Sequence, residues 1–146
     1  MTATLTDLCQ TCHNKRVLIV DDEVSILFSY RKLLEREGMK VDVCESFEGA
    51  AEQIRDNVYC AVIADIRLSG SANTDGLRIL REIRQNQPDT IVIMMTGHGN
   101  SEIEQMAYDL GATHYFEKPV QPSVILDALK SIMCSLLLTP CLPDVV

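Results

Sequence analysis

The 146 residues suit one domain of ordinary size, and a composition 47% hydrophobic and 23% charged is that of a globular chain, not a disordered one. A net charge of −8 argues against non-specific nucleic-acid binding, which needs basic surface. Met1-Thr2-Ala3-Thr4-Leu5 has no basic segment leading into an apolar run, and Leu136-Leu137-Leu138 is far too short to span a bilayer, so a cytoplasmic protein without membrane contact is expected.

Residues 1–15 carry no periodicity and read as a loose extension; 16–138 form the folded domain and 139–146 a tail. From Arg16 onward, strand and helix patterns alternate. Val17-Leu18-Ile19-Val20 is a short β-branched run that ends at Asp21-Asp22. Val24 to Glu37 reads as a helix, with Leu27, Tyr30 and Leu34 on one face and Gly38 as its stop. A second strand runs from Lys40 to Cys44, and Ser46 can cap a helix from Phe47 to Arg55. Ala61-Val62-Ile63-Ala64 is the third strand and runs into Asp65, before a loop, Ser69-Gly70-Ser71-Ala72-Asn73. Leu77 to Gln85 is a helix with Leu77, Leu80 and Ile83 inward, and Pro88-Asp89 turns into the fourth strand, Ile91 to Met95, which ends at Thr96. Ser101-x-x-Glu104 has the form of a capping box for a short helix that stops at Gly111. The fifth strand contains His114-Tyr115-Phe116-Glu117 and ends at Lys118. Pro122 opens a last helix with Ile125, Leu129, Ile132 and Leu136 on one face.

Five strands alternating with five helices predict an α/β fold, a doubly wound parallel sheet with helices on both faces. Strands covered on both faces read as solid apolar runs, as these do. Ligands of such sheets bind beyond the carboxyl ends of the strands. Asp21, Asp22, Asp65, Thr96 and Lys118 therefore share one edge. Carboxylates that close repel one another, and a hard divalent cation resolves the conflict. Asp65 stands alone on its strand end and is the candidate nucleophile, able to form an acyl phosphate. Thr96 can hydrogen-bond one phosphoryl oxygen and Lys118 can pair with another.

Val-Leu-Ile-Val-Asp-Asp-Glu, then Asp65, then Met-Met-Thr-Gly, then Tyr-Phe-Glu-Lys-Pro together resemble the receiver domain of two-component response regulators. The resemblance covers residues 16–137, and four separated motifs agree in order and spacing. It implies a flavodoxin-like, five-stranded sheet in order 2-1-3-4-5. It implies Asp65 as phospho-acceptor, with Mg²⁺ (or Mn²⁺ in its place) held by Asp22 directly, by Asp21 through water, and by Asp65 and the backbone carbonyl of Arg67. Thr96 resembles the switch hydroxyl, Tyr115 the aromatic that turns inward on activation, and Lys118 the phosphate-contacting lysine, with a cis bond to Pro119. Arg67 and His98 match the positions that tune autodephosphorylation. The implied partners are a sensor histidine kinase or phosphotransfer protein and a downstream protein, with a homodimer through the fourth helix, fifth strand and fifth helix as a further expectation. No direct nucleic-acid contact is implied, and no enzymatic activity beyond the chain's own phosphorylation and dephosphorylation.

Two departures stand out. Leu68-Ser69 replaces the usual Met-Pro, and Gly70 to Thr74 reads as an insertion before Asp75-Gly76. A role as intermediate phosphorelay carrier is the alternative output. Thr-Gly-His-Gly and Glu-Lys-Pro are also similar to receivers that precede transcription-activating ATPase domains, so a fragment of a larger regulator is another reading. Aspartyl phosphatases of the haloacid-dehalogenase kind place a second Asp two residues after the nucleophile; Arg67 stands there instead. Cys9-x-x-Cys12-His13 has the spacing of haem attachment, but no export signal and no fourth zinc ligand accompany it. These and the other cysteines, Cys44, Cys60, Cys134 and Cys141, are expected as thiols.

Overall fold

The computed structural model describes residues 16–67, 75–97 and 99–137, with the side chains of the last helix described as far as Ile132. Cys9, Cys12, His13, the insertion with Leu68-Ser69, His98, the tail, and the side chains of Cys134, Leu136 and Leu137 lie outside the described residues. The elements alternate as β1 (Arg16–Val20), α1 (Val24–Arg36), β2 (Lys40–Cys44), α2 (Phe47–Asp56), β3 (Ala61–Asp65), α3 (Asp75–Asn86), β4 (Ile91–Thr96), α4 (Ser101–Asp109), β5 (His114–Glu117) and α5 (Pro122–Leu137). The strands form one sheet in the order β2-β1-β3-β4-β5, and every pairing is parallel.

Alternate residues of each strand enter different cores because successive side chains point to opposite faces. Val17, Ile19, Ile63, Ile93 and Met95 pack against Leu27, Tyr30 and Leu34 of α1 and Ile125, Leu126 and Leu129 of α5. Leu18, Val20, Val62, Ala64, Val92 and Met94 pack on the other face against Ile54 of α2, Leu77, Leu80 and Ile83 of α3 and Ala107 of α4. Burying each large aliphatic side chain contributes about 1.5–3 kcal/mol before entropy is counted. Solid apolar runs occur only where both neighbours and both layers are present. Every residue of β3 and β4 is buried, whereas the edge strands β2 and β5 are only partly covered. This corrects the expectation that all five strands are fully enclosed.

Ser46 caps α2 as its position predicts, its Oγ accepting from Gly49 N at 3.1 Å. The capping box at Ser101 does not form. Asn100 is the N-cap of α4, and its Oδ1 accepts from Ile103 N at 2.8 Å. Asparagine holds the extended backbone required there, which leaves Ser101 as the first helical residue. Gly38 and Gly111 follow α1 and α4 at φ +87° and +103°.

Bonds beyond the strand ends carry the ladder into the loops at the carboxyl edge. Asp21 N donates to Cys44 O at 3.1 Å, Ile66 N to Met95 O at 2.7 Å, and Lys118 N to Thr96 O at 2.8 Å. The opposite edge is tied by Asp42, which receives Arg16 Nε at 2.6 Å and Tyr59 Oη at 2.7 Å.

Gly76, in the first turn of α3, lies directly on the backbone of Asp65 and Ile66, and a Cβ there would overlap both. Its amide donates to Ile66 O at 2.9 Å. Gly76→Ala must push α3 away from the end of β3, so a stability loss of about 3 kcal/mol is expected, the upper end for overpacking, because backbone cannot rotate aside. Urea denaturation tests this; an unchanged midpoint would contradict the close approach.

Candidate functional site

Five of the residues singled out in the sequence meet at the carboxyl edge of the sheet. Asp21 follows β1 and is fully buried, Asp65 ends β3 and is nearly so, Thr96 ends β4 and is fully buried, and Lys118 follows β5. Asp22 is exposed. Asp21, Asp22 and Asp65 each bring a carboxylate oxygen within 4.8 Å of the others. The order β2-β1-β3-β4-β5 produces this convergence by making β1 and β3 neighbours although α1, β2 and α2 separate them in sequence.

Lys118 bridges the acids. Its Nζ is 2.8 Å from Asp65 Oδ2, 2.7 Å from Asp21 Oδ2 and 3.2 Å from Glu23 Oε1. The contact with Asp21 is close but poorly angled, so the buried Oδ2 has an ion-pair neighbour and no aligned hydrogen-bond donor among the described residues. The other oxygens are oriented locally. Asp21 Oδ1 accepts from Glu23 N at 2.9 Å, and Asp65 Oδ1 accepts from Arg67 N at 3.0 Å. Sequence reasoning missed Glu23; as the N-cap of α1 without a side-chain cap bond, it reaches to Lys118 instead.

Burial would lower the Lys118 ammonium, but bonding and attraction to Asp21 and Asp65 outweigh it and hold Lys118 well above the ordinary lysine value. Burial pushes the Asp21 carboxyl up; Lys118 and the Glu23 amide oppose this, and Asp65 adds to it. The site therefore holds more negative charge than its lysine neutralises, and an oxygen without an aligned donor faces the cluster. Hard, closely spaced carboxylate oxygens of this kind fit a divalent cation such as Mg²⁺.

Tyr115 points inward from β5 and is 8% exposed. Gly99 makes this possible, since a Cβ there would collide with both Tyr115 Oη and Thr96 Cγ2. The Tyr115 hydroxyl is buried with no hydrogen-bond partner among the described residues. Burial, then Glu117 and Glu104, push its phenol up, while the Arg67 guanidinium opposes them. The side chain of Arg67 thus acts electrically on the tyrosine. The Lys118–Pro119 bond is cis. Cys44, at the end of β2, is pushed up to about 12 by burial and then by Asp42 and Glu45, which leaves it a neutral thiol.

The family model described as "Response regulator receiver domain" matches residues 17–130. The chain belongs to this family. Among curated proteins, the acid tolerance regulatory protein ActR of Rhizobium meliloti (strain 1021) is 33% identical over 116 residues, covering 80% of this chain and 58% of ActR. The nitrogen assimilation regulatory protein NtrX of Azorhizobium caulinodans is 37% identical over 103 residues, covering 70% of this chain and 22% of NtrX. The chain thus spans little more than half of one relative and under a quarter of the other. Among solved structures, a CheY-like receiver from Methanospirillum hungatei JF-1 matches with a TM-score of 0.75 at 29% identity, covering 82% of this chain and 94% of that one. The beryllofluoride-activated NtrC4 receiver domain dimer matches with a TM-score of 0.73 at 32% identity, covering 82% and 96%. The chain is a receiver domain of two-component response regulators, with the flavodoxin-like sheet expected of one. Receiver domains bind Mg²⁺ at an acidic pocket and interact with histidine kinases and downstream effectors.

Two predictions follow from this geometry. Because burial holds Asp21 above its ordinary value of 3.8, folding favours its protonated form. That contribution is fully present below the ordinary value and is lost as pH rises through the raised one. In chelator-treated protein, urea stability of the wild type should therefore fall relative to Asp21→Asn as pH rises above 3.8 and then level off; a pH-independent difference would contradict it. Separately, Gly99→Ala should drive Tyr115 outward. Nitration mapped by peptide mass should then modify Tyr115 faster, with the 41%-exposed Tyr108 as internal reference; unchanged Tyr115 reactivity would show that the slot does not depend on Gly99.

Proposed function

We propose that the chain accepts a phosphoryl group on Asp65 from a phosphohistidine of a sensor kinase or phosphotransfer protein and signals through a protein partner. One observation supports this most: Asp65 lies at the meeting point of an acidic cluster and a lysine held on two carboxylates at 2.7 and 2.8 Å. An Asp65 oxygen forms the new P–O bond as the P–N bond to the donor imidazole breaks, and the leaving imidazole takes its proton from solvent. The Arg67 amide orients the Asp65 carboxylate, and Lys118, already at its oxygen, follows the charge onto the phosphoryl oxygens. Asp21, Asp22, Asp65 and the Arg67 carbonyl would hold Mg²⁺, which supplies charge neutralisation at those same oxygens when bound.

Signalling then rests on Thr96 and Tyr115, which share the slot left by Gly99. Bonding of the Thr96 hydroxyl to the phosphoryl group would favour the inward tyrosine and shift the α4–β5–α5 surface, a change of population between two states. Arg67 and His98 would set the lifetime of the acyl phosphate. The chain would catalyse only its own phosphorylation and dephosphorylation, in the cytoplasm. No helix among the described residues is long and apolar enough to cross a membrane. Dimerisation through α4–β5–α5 is the favoured output. Met106 and Tyr108 of α4 and Val124 of α5 are exposed there, and the similar NtrC4 receiver is a dimer when activated by beryllofluoride.

Incubation with acetyl phosphate and Mg²⁺ should add a labile mass of about 80 Da, one phosphoryl group carried as an acyl phosphate. The gain should be absent from Asp65→Asn and from chelator-treated wild type, and light scattering should show larger particles only after the gain. A folded wild type that gains no mass would instead be a docking module independent of phosphorylation.

A further inference from the structure

The buried face of α1 is formed by Leu27, Tyr30 and Leu34. Two leucines need only a third apolar side chain between them, and phenylalanine would fill the space. The hydroxyl of Tyr30 therefore calls for an explanation, because Tyr30 is 3% exposed and a buried hydroxyl without a partner is costly. Its partner is not in α1. Tyr30 Oη donates to Val120 O at 2.7 Å, across 90 positions of sequence, and lies 3.6 Å from Met95 Sδ in β4. Burial pushes its phenol up to about 12, so the group remains a neutral donor at physiological pH.

Val120 lies in the short connection between β5 and α5, which begins with Lys118. That connection is held at three points. Lys118 N donates to Thr96 O at 2.8 Å at one end. Gln121 O accepts from Val124 N at 3.0 Å at the other, in the first turn of α5. The Tyr30 hydroxyl holds the middle. The Lys118 side chain, 11% exposed, must leave this connection and reach carboxylates of two different strands.

We infer that Tyr30 is a positioning residue: by holding the Val120 carbonyl, its hydroxyl sets the β5–α5 connection so that Lys118 reaches Asp21 and Asp65 together. The bond also ties α1, which starts next to the acidic pair, to the segment that carries the cation. The two halves of the site thus cannot drift apart independently. The catalytic part of this inference rests on the phosphoryl-transfer reading above; the geometric part does not.

Tyr30→Phe in the full chain tests it, with thermal melting to confirm an intact fold. The first measurement is reductive methylation of lysines by formaldehyde, read by peptide mass, with Lys130 as reference. Lys130, on α5, pairs at 3.2 Å with Glu37, the C-cap of α1, and forms no hydrogen bond or ion pair with the β5–α5 connection among the described residues. Lys118 should react about fivefold faster in Tyr30→Phe, the effect of losing one ordinary hydrogen bond, while Lys130 keeps its rate. The second is the initial rate of mass gain from acetyl phosphate, which should fall by a similar factor. It should fall by less than about twofold when Lys118→Met is already present, because residues acting through one another are not additive. Unchanged Lys118 reactivity overturns the inference, and so does a fall in rate that is the same with and without Lys118. If the wild type gains no phosphoryl group at all, the proposed function fails, and Lys118 reactivity alone decides whether Tyr30 positions the lysine.

Discussion

The Lys118 ammonium, suspended between Asp21 at 2.7 Å and Asp65 at 2.8 Å, is the contact on which the carboxyl edge of this sheet depends. The buried Asp21 and Asp65 and the exposed Asp22 bring carboxylate oxygens within 4.8 Å of one another, and Lys118 is the cation that offsets their repulsion. Breaking a buried pair by removing one partner is costly, since the survivor keeps its charge and loses its compensation. Yet one lysine does not balance three acids. The residual negative charge disfavours folding slightly and makes the site receptive to a divalent cation.

The rest of the architecture holds that contact in place. Both cores are continuous and apolar, so β1, β3 and β4 cannot slide without exposing buried aliphatic side chains. The polar contacts that bear on the strands gather at the two ends of the sheet. One carries the Asp42–Arg16–Tyr59 bonds, which are structural, and the other carries the acids, Thr96 and Lys118. At the second end there is a further division. Asp21, Asp65 and Lys118 form a fixed charge arrangement. Thr96, Gly99 and Tyr115 form a slot whose buried hydroxyl has no partner among the described residues. Moving the ring outward would expose buried apolar area but let the unpartnered hydroxyl bond to water, so the two effects oppose each other.

How much could be read beforehand differs from element to element. β3 and β4 were legible because they lie between neighbours in the sheet and read as unbroken apolar runs. β2, Lys40–Cys44, and β5, His114–Glu117, carry polar residues because each lies at an edge, and only the alternation of elements placed them. Ser46 was recognisable as a cap, but Ser101 was not one. Asn100 stood one residue earlier with equally suitable chemistry, and sequence spacing cannot choose between adjacent caps. Asp21, Asp22, Asp65, Thr96 and Lys118 were visible because polar residues immediately after apolar strands have one place to go. Glu23 and Gly99 were not singled out in these roles, because each acts through a neighbour distant in sequence.

The sequence by itself determined the alternating elements, the parallel sheet, the set of polar residues at its carboxyl edge and the family to which they belong, because periodicity and strand ends are local properties. Only the tertiary structure decided which of those residues touch. Sheet order made β1 and β3 neighbours and so brought Asp21 to Asp65. The crossover of β5 put Lys118 between them, and packing placed the Tyr30 hydroxyl under the connection that carries it. Contacts across dozens of residues depend on how layers pack, and no local pattern encodes that distance.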